Sequence, residues 1–334
     1  MKIAYLFIAH NHPELLAKTI GKLHSENAWF YIHVDKKSDQ SLFEEQLSSI
    51  GARIKFVEER KSIFWMGYSM VAAGLELMKL ARRSLVLGNS DVDYFILLSG
   101  VDYPIKSNQE IEEALLESGS KNFLMYWKLH DLPQWLYKVH DYHYLDSRWH
   151  NQRAAPVFFG KMRMPFYRIE RVRHWVHRLL PKRKLPLGLV PYGGSQWWML
   201  TTAAVEYILD FLEKAPEVGR FFRFTHSPDE LMIQTILMNS RFKDSVHGKE
   251  DYDAFIDAWK NNGDPDFVTD CARNFNLRYI DWDPVREFPS ILDERDYPAI
   301  QKSSCLFARK FDPIRSEMLI DILQKDRKIA PTTL

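Results

Sequence analysis

The sequence is poor in cysteine, because only Cys271 and Cys305 occur among its 334 residues. Two cysteines are too few for a disulfide framework in a chain of this length, and no cysteine and histidine spacing of a zinc site is present. We therefore expect a reduced setting and predict a cytoplasmic location. An excess of charge is also absent, since the formal net charge is +1. Nothing in the overall charge favours nucleic acid as a partner.

Long apolar runs are absent as well. The N-terminal run covers residues 3–9 and ends at His10, whereas a signal peptide needs a longer apolar region and a cleavage site. A membrane-spanning helix needs about 20 apolar residues, and the sequence has no such run. We therefore expect the folded domain to begin directly at the N-terminus.

Several standard motifs are missing. The sequence has no Gly-rich phosphate loop, no Gly-x-Ser-x-Gly elbow and no His-Glu-x-x-His pair. Asp-x-Asp pairs occur at residues 91–93, 251–253 and 264–266. The first precedes a predicted strand, at the wrong end of a parallel sheet for a ligand, and the others lie in polar loop sequence. We therefore predict no metal and no cofactor.

Aromatic residues, by contrast, make up 14% of the chain. Aromatic side chains fill cores, and they also form flat surfaces for sugar rings, so composition allows both roles. Residues 126–160 are rich in Trp, Tyr and His and show little periodicity. We predict a long loop region there, of the kind that is often functional in a compact domain.

The first third of the chain alternates between strand and helix patterns. Its apolar runs are continuous, as in buried parallel strands, and the segments between them have helical spacing. This order predicts an α/β fold with a mostly parallel sheet flanked by helices. The predicted strands are residues 3–9, 29–34, 54–57 and 94–98, and the predicted helices are residues 13–23 and 69–81.

Polar residues follow three of these strands. His10, Asp35 and Asp102 fall at carboxyl ends, where ligands bind in such sheets. Aspartates at these positions are also common in turns and caps, and residue type alone does not decide between the two roles.

The second half has a less regular pattern. After residue 214 we predict one helix, then irregular chain, then a final strand and helix. The predicted elements are a tight turn at 192–195, a strand at 196–200, helices at 201–214 and 227–237, irregular chain to about 302, a strand at 304–307 and a helix at 313–324.

Residues 168–184 form a predicted basic amphipathic helix with a further basic run at its end. Such a helix either exposes a solvated charged face or contacts an anionic membrane surface or an acidic glycan.

The Ser-Pro-Asp-Glu sequence at residues 227–230 has two interpretations. It fits a capping box with proline at the first helical position. Alternatively, Glu230 is a general base that takes the proton of a sugar hydroxyl. One base is enough when the leaving group is a nucleotide, whereas glycoside hydrolases need two carboxylates.

Arg309 and Lys310 follow an apolar strand. They are either surface cations or the groups that neutralise an anionic leaving group without a metal. The segments around Trp65 and around Gln196 and Trp197 also have two interpretations, because each suits core packing or contact with a sugar.

Five ordered blocks resemble the core-2/I-branching β-1,6-N-acetylglucosaminyltransferases, a family that includes the peptide O-xylosyltransferases and is grouped as glycosyltransferase family 14. The resemblance runs from about residue 3 to 312. The blocks are Trp-Met-Gly-Tyr-Ser at 65–69, Ser-Gly-Val-Asp-Tyr-Pro-Ile-Lys at 99–106, Gly-Ser-Gln-Trp-Trp at 194–198, Ser-Pro-Asp-Glu at 227–230 and Phe-Ala-Arg-Lys-Phe at 307–311.

The resemblance implies a GT-A-type fold in a single large catalytic domain, with a nucleotide-binding half at 1–125 fused to an acceptor and catalytic half at 126–334. It implies an inverting, metal-independent reaction with a UDP-sugar donor and a glycan acceptor. By position, it makes Glu230 the catalytic base. The other implied roles are diphosphate binding by Arg309 and Lys310, nucleoside contact by His10, Val34 and Asp35, and a sugar and acceptor pocket of Asp102, Trp65, Ser195, Gln196 and Trp197.

These implications predict a bacterial, cytoplasmic glycosyltransferase that transfers β-linked GlcNAc in surface polysaccharide biosynthesis. It would touch the inner face of the membrane, if at all, through the basic helix. A xylosyltransferase using UDP-xylose is the alternative within the family. A non-catalytic protein that binds glycans or nucleotides on the same scaffold is the alternative from another class.

Overall fold

The computed structural model describes residues 1–88, 90–146, 181–283, 285–286 and 289–325. Within these ranges, the strands belong to one large and one small sheet. They are β1 (Ile3–Ala9), β2 (Ala28–Val34), β3 (Arg53–Phe56), β4 (Tyr94–Ser99), β5 (Tyr103–Pro104), β6 (Phe123–Lys128), β7 (Tyr192–Thr201), β8 (Arg278–Ile280) and β9 (Phe307–Arg309).

Several of the described helices begin where the sequence supplies a favourable first turn. Proline stands in the first turn of α1, and the Thr201 side chain caps the helix after β7 by accepting the amide of Ala204. The helices are α1 (Pro13–Leu23), α2 (Ser41–Leu47), α3 (Tyr68–Leu87), α4 (Asn108–Glu117), α5 (Tyr137–His140), α6 (Thr202–Lys214), α7 (Pro216–Phe222), α8 (Met232–Met238), α9 (Tyr252–Lys260), α10 (Pro265–Asn276), α11 (Tyr297–Lys302) and α12 (Glu317–Lys325).

The large sheet has the strand order β3-β2-β1-β4-β7-β6. Strands β1 to β4 pair in parallel, and β7 is antiparallel to both of its neighbours. Every residue of β1 and β4 is buried, which agrees with their continuous apolar sequences. The structure therefore confirms the predicted α/β class and its mostly parallel sheet flanked by helices.

The core lies on both faces of this sheet. Along β1, Leu6 packs into the cluster formed with α3, α6 and α8, whereas Tyr5 and Phe7 pack into the cluster formed with α1 and α2. This alternation follows from the two-residue period of a strand. The proposed division at residue 125 falls inside β6, so strands from both halves belong to one sheet.

A small sheet of order β5-β9-β8 lies beyond the end of β4. Strand β9 is antiparallel to β5 and parallel to β8. The amide of Phe311 also donates to the carbonyl of Val101 at 2.9 Å. The C-terminal part of the chain is thereby attached to the turn that follows β4. This attachment brings Arg309 close to Asp102.

The predicted turn at 192–195 is wrong, because these residues belong to the ten-residue strand β7. Glycine allows the backbones of β7 and β6 to lie close together. A Cβ atom on Gly194 would lie 1.9 Å from the carbonyl oxygen of Met125, where β6 is irregular.

The predicted loop at residues 126–160 is wrong at its start, since β6 runs to Lys128 and α5 follows. The prediction of irregular chain to residue 302 is also wrong, because this stretch contains α9, α10, β8 and α11.

Most of the predicted basic helix at 168–184 lies outside the described residues. Of its final basic run, Lys182 pairs with Asp141 and Arg183 is buried. Among the residues that the structure describes, no helix combines the length and the apolar character needed to cross a membrane.

Candidate functional site

The carboxyl ends of β1 and β2 place His10 and Asp35 side by side. The Asp35 carboxylate is buried and accepts the amide of Lys37 at 2.9 Å, and the Lys37 ammonium lies 3.3 Å away. Val34 ends β2 as a fully buried residue. Burial lowers the pKa of His10, and the charge of nearby Lys310 lowers it further, against the opposing effect of Asp35. The structure thus brings Lys310 to the same sheet edge as the predicted nucleoside residues.

Asp102 is the centre of a buried ion cluster. Its carboxylate accepts the amide and hydroxyl of Ser99 at 3.0 and 2.6 Å, pairs with Arg278, and lies 3.5 Å from Nε of Arg309. The Asp102 and Arg278 side chains are fully buried. Burial lowers the pKa of Arg278 to about 10, although Asp102 opposes the shift. Two guanidinium groups therefore share one carboxylate, and the cluster has excess positive charge.

Arg309 differs from the fully buried Arg278 because 17% of its side chain is exposed. Its guanidinium lies over the Trp197 ring, 4.3 Å from the ring centre, and its buried Nε makes no hydrogen bond within the described part of the chain. Burial lowers its pKa, against the opposing effect of Asp102. A planar cation that is partly exposed at such a site is suited to phosphate oxygens.

The capping-box interpretation of residues 227–230 is wrong. Ser227 has a left-handed backbone with φ of 49°, and its side chain makes no cap hydrogen bond. The short 3₁₀ helix Pro228–Glu230 follows, and α8 begins only at Met232. Since Glu230 does not form the reciprocal cap, its carboxylate is available for another role.

Glu230 forms an ion pair with Lys138 of α5 at 2.8 Å. The Lys138 side chain is only 5% exposed, whereas that of Glu230 is 39% exposed. The Lys138 ammonium also lies 4.3 Å from the centre of the Trp135 ring. The sequence did not indicate Lys138, because it lies in an aperiodic segment far from residue 230. Its ion pair keeps a partly exposed carboxylate in one place.

Asp229 adjoins this pair with an Oδ1 atom that is buried and has no hydrogen-bond partner among the described residues. Burial, followed by the charge of Glu230, raises the pKa of Asp229 to about 7. Two adjacent carboxyl groups therefore have different environments. Of the two, Glu230 is the partner of Lys138.

The segment around Trp65 lies against residues 227–230. The Asp146 carboxylate accepts the amide and hydroxyl of Ser69 at 3.0 and 2.6 Å, which holds the first turn of α3. The carbonyl of Met66 accepts the amide of Ser227 at 3.0 Å. Trp65 itself is 68% exposed and therefore does not fill the core.

Strand β7 connects the two parts of the site. The amide of Gln234, in α8, donates to the carbonyl of Ser195 at 2.6 Å, and Gln196 is partly exposed beside it. Trp197 is buried beneath Arg309 and is not an open stacking surface. Glu230 and Arg309 are thus linked through α8 and β7 and do not touch. Within the described residues, no group of three or more His, Cys, Asp or Glu could hold a metal ion.

The model of the Core-2/I-Branching enzyme family matches residues 3–301, and the chain belongs to this family. Membership confirms the resemblance of the five sequence blocks to this family of glycosyltransferases. Xylosyltransferase 2 of Rattus norvegicus is 26% identical over 329 residues, which is 97% of this chain and 33% of that protein. Xylosyltransferase 1 of Homo sapiens is 24% identical and is matched over 30% of its length. The chain thus spans about a third of the curated relatives it matches.

Solved structures are more distant. Staphylococcus aureus TarS in complex with UDP-GlcNAc has a TM-score of 0.26 and 16% identity, with 37% of this chain and 34% of that chain covered. Mouse xyloside xylosyltransferase 1 has a TM-score of 0.30 and 13% identity, with 71% and 82% covered.

Proposed function

We propose that this protein is an inverting, metal-independent glycosyltransferase that transfers β-linked GlcNAc from UDP-GlcNAc to a hydroxyl of a glycan acceptor. The observation that carries the proposal is Arg309, a cation whose side chain is 17% exposed and which shares the Asp102 carboxylate with Arg278. A buried charge without full compensation is costly, and a diphosphate would supply the missing anion.

In the proposed reaction, Glu230 takes the proton of the acceptor hydroxyl as its oxygen attacks C1 of the donor sugar. The bond between C1 and the diphosphate oxygen breaks on the opposite face, and its electron pair leaves with UDP. Arg309 and Lys310 stabilise the negative charge that develops on the diphosphate. Lys138 donates to the Glu230 carboxylate at 2.8 Å and keeps it oriented.

UDP-GlcNAc has an alternative as the donor. Two curated relatives are named xylosyltransferases, so UDP-xylose is the alternative donor. We also propose a role in surface polysaccharide biosynthesis, a cytoplasmic location, and peripheral membrane contact through residues 168–184. Cosedimentation with anionic vesicles, compared with neutral vesicles, tests the membrane contact.

Replacement of the proposed base tests the mechanism. We expect Glu230→Gln to retain UDP affinity and to lose sugar transfer, or donor hydrolysis, by about 100-fold or more, because the hydroxyl keeps its proton. UDP-GlcNAc, UDP-xylose and UDP-glucuronic acid are compared as donors, and UDP binding is measured by calorimetry.

Glu213→Gln, at an exposed position of α6, is the matched control and should be fully active. Near-normal turnover in Glu230→Gln would reject Glu230 as the base. EDTA should leave activity unchanged, and a strict Mn²⁺ requirement would reject the metal-independent reaction. A protein that binds free glycans and ignores UDP would instead be the non-catalytic alternative.

A further inference from the structure

Four exposed aromatic side chains lie together next to the Glu230 segment, and we call them the aromatic platform. Tyr137, Tyr142, Tyr144 and Phe224 are 44%, 39%, 57% and 44% exposed. The Phe224 ring lies 6.5 Å from that of Tyr142 and 6.3 Å from that of Tyr144, between ring centres. Grouped exposed aromatics of this kind mark a binding surface more often than isolated ones.

The platform continues directly from the proposed base. Tyr137 precedes Lys138, which pairs with Glu230, and the Glu230 charge helps to raise the pKa of Tyr137, after the larger effect of burial. The Tyr137 ring also lies 5.7 Å from that of His226, whose chain leads into residues 227–230. A molecule with one end at Glu230 would therefore extend over these rings.

The platform is held rigidly from below by a buried arginine. Arg183 donates to the carbonyls of Phe221, Asp141 and Phe224, the second at 3.2 Å. Its guanidinium lies 3.8 Å from the Phe221 ring centre and 5.1 Å from that of Tyr142. Arg183 thereby satisfies backbone carbonyls at the end of α7 and fixes the backbone beneath the platform, and a preorganised surface favours binding.

We propose that the aromatic platform binds the acceptor as an extended oligosaccharide, with the apolar faces of successive pyranose rings against the aromatic rings. The inference rests on the proposed function, because Glu230 defines which end of the chain reacts. Tyrosine and phenylalanine provide apolar surface, and the tyrosine hydroxyls add hydrogen-bonding groups for sugar hydroxyls. The platform carries no ionised side chain of its own, so it suits neutral sugar units. Longer acceptors should bind more tightly than monosaccharides.

The test compares wild-type protein with the double variant Tyr144→Ala and Phe224→Ala. The probes are neutral β-1,4-linked hexasaccharides of GlcNAc, glucose and xylose and their monosaccharides, and binding is measured by ligand-observed NMR. We expect at least one hexasaccharide to bind at least about tenfold more tightly than its monosaccharide, the scale of a stacked ring or two. The double variant should lose that gain. Phe267→Ala, 42% exposed on α10, is the control and should retain it.

UDP calorimetry and circular dichroism accompany each variant. The platform is rejected if no hexasaccharide binds more tightly than its monosaccharide, or if the folded double variant binds it as wild type does. It is also rejected if the double variant instead lowers the sedimentation coefficient, since the surface would then join two copies. A wild-type protein that binds an oligosaccharide but neither binds UDP nor hydrolyses a donor would reject the proposed function. The oligosaccharide-binding role of the aromatic platform would then still stand.

Discussion

The Glu230 segment contains two adjacent carboxyl groups whose surroundings set them apart. Glu230 has the ammonium of Lys138 at 2.8 Å, whereas Oδ1 of Asp229 is buried with no partner among the described residues. Neighbouring carboxyl groups in unlike surroundings commonly have different protonation states. The protonation of Asp229 should therefore affect the stability of the fold, whichever sugar donor the protein uses.

We predict that Asp229→Asn makes the fold less sensitive to pH. Burial raises the pKa of Asp229 to about 7 in the folded protein, above its ordinary value near 4. Between these values the folded state holds a proton that the unfolded state releases, so stability falls as pH rises from about 4 to about 7. Asparagine at position 229 cannot ionise, so this loss of stability is absent in the variant. Urea unfolding at pH 5 and pH 8 should show a smaller difference for the variant than for wild type.

Asp253→Asn, at an exposed position in α9, is the control for this experiment and should keep the wild-type difference. An Asp229→Asn protein with the full wild-type pH dependence would contradict a neutral Asp229 at low pH.

At the scale of elements, the start of α3 depends on a residue far along the chain. Gly67 occupies the N-cap position and supplies no side-chain cap, and Asp146 accepts the Ser69 amide in its place. A Cβ atom on Gly67 would lie 2.1 Å from Oδ1 of Asp146. The glycine of the Trp-Met-Gly-Tyr-Ser block thus has a steric reason, which is to admit this carboxylate.

We predict that Gly67→Ala lowers the free energy of unfolding by about 1–2 kcal/mol, the scale of a lost helix cap. Activity should fall as well, because the Met66 carbonyl in the displaced turn accepts the amide of Ser227. Gly74→Ala is the matched control in the same helix. Nothing lies within 4 Å of its added Cβ, and it should be neutral or stabilise by about 0.5–1 kcal/mol. Equal stability of the two variants would contradict the role of Asp146.

At the scale of the whole molecule, the Asp102 cluster joins the large sheet to the small one. Asp102 follows β4, Arg278 begins β8, and Arg309 ends β9, so one buried carboxylate holds three distant segments. A ligand that supplies negative charge to Arg309 should therefore stabilise the entire fold by mass action.

We predict that UDP raises the unfolding temperature, with a gain of about 2.7 kcal/mol at a concentration 100 times its Kd. Arg309→Met should remove most of this shift while uridine has little effect on either protein, because the interaction is with phosphate. Thermal unfolding with UDP and uridine checks the prediction, and Arg83→Met on the exposed side of α3 serves as control. A full UDP shift in Arg309→Met would contradict diphosphate binding by Arg309.

The sequence by itself determined the parallel strands, since their continuous apolar runs can only be buried on both faces. It also determined the α/β class and the family resemblance, because the blocks are local strings of residues. The C-terminal half was less predictable, because glycine in β7 serves packing against β6 rather than a turn.

Only the tertiary structure decided how the site is assembled. It paired Glu230 with Lys138, 92 positions apart, and placed Arg278 beside Asp102, 176 positions apart. It also showed that Ser227 is no cap, and that Trp197 lies beneath Arg309 while Trp65 is open to solvent. The physical reason is that ion pairs and ring contacts depend on distance in space, and no periodicity along the chain records which distant residues meet.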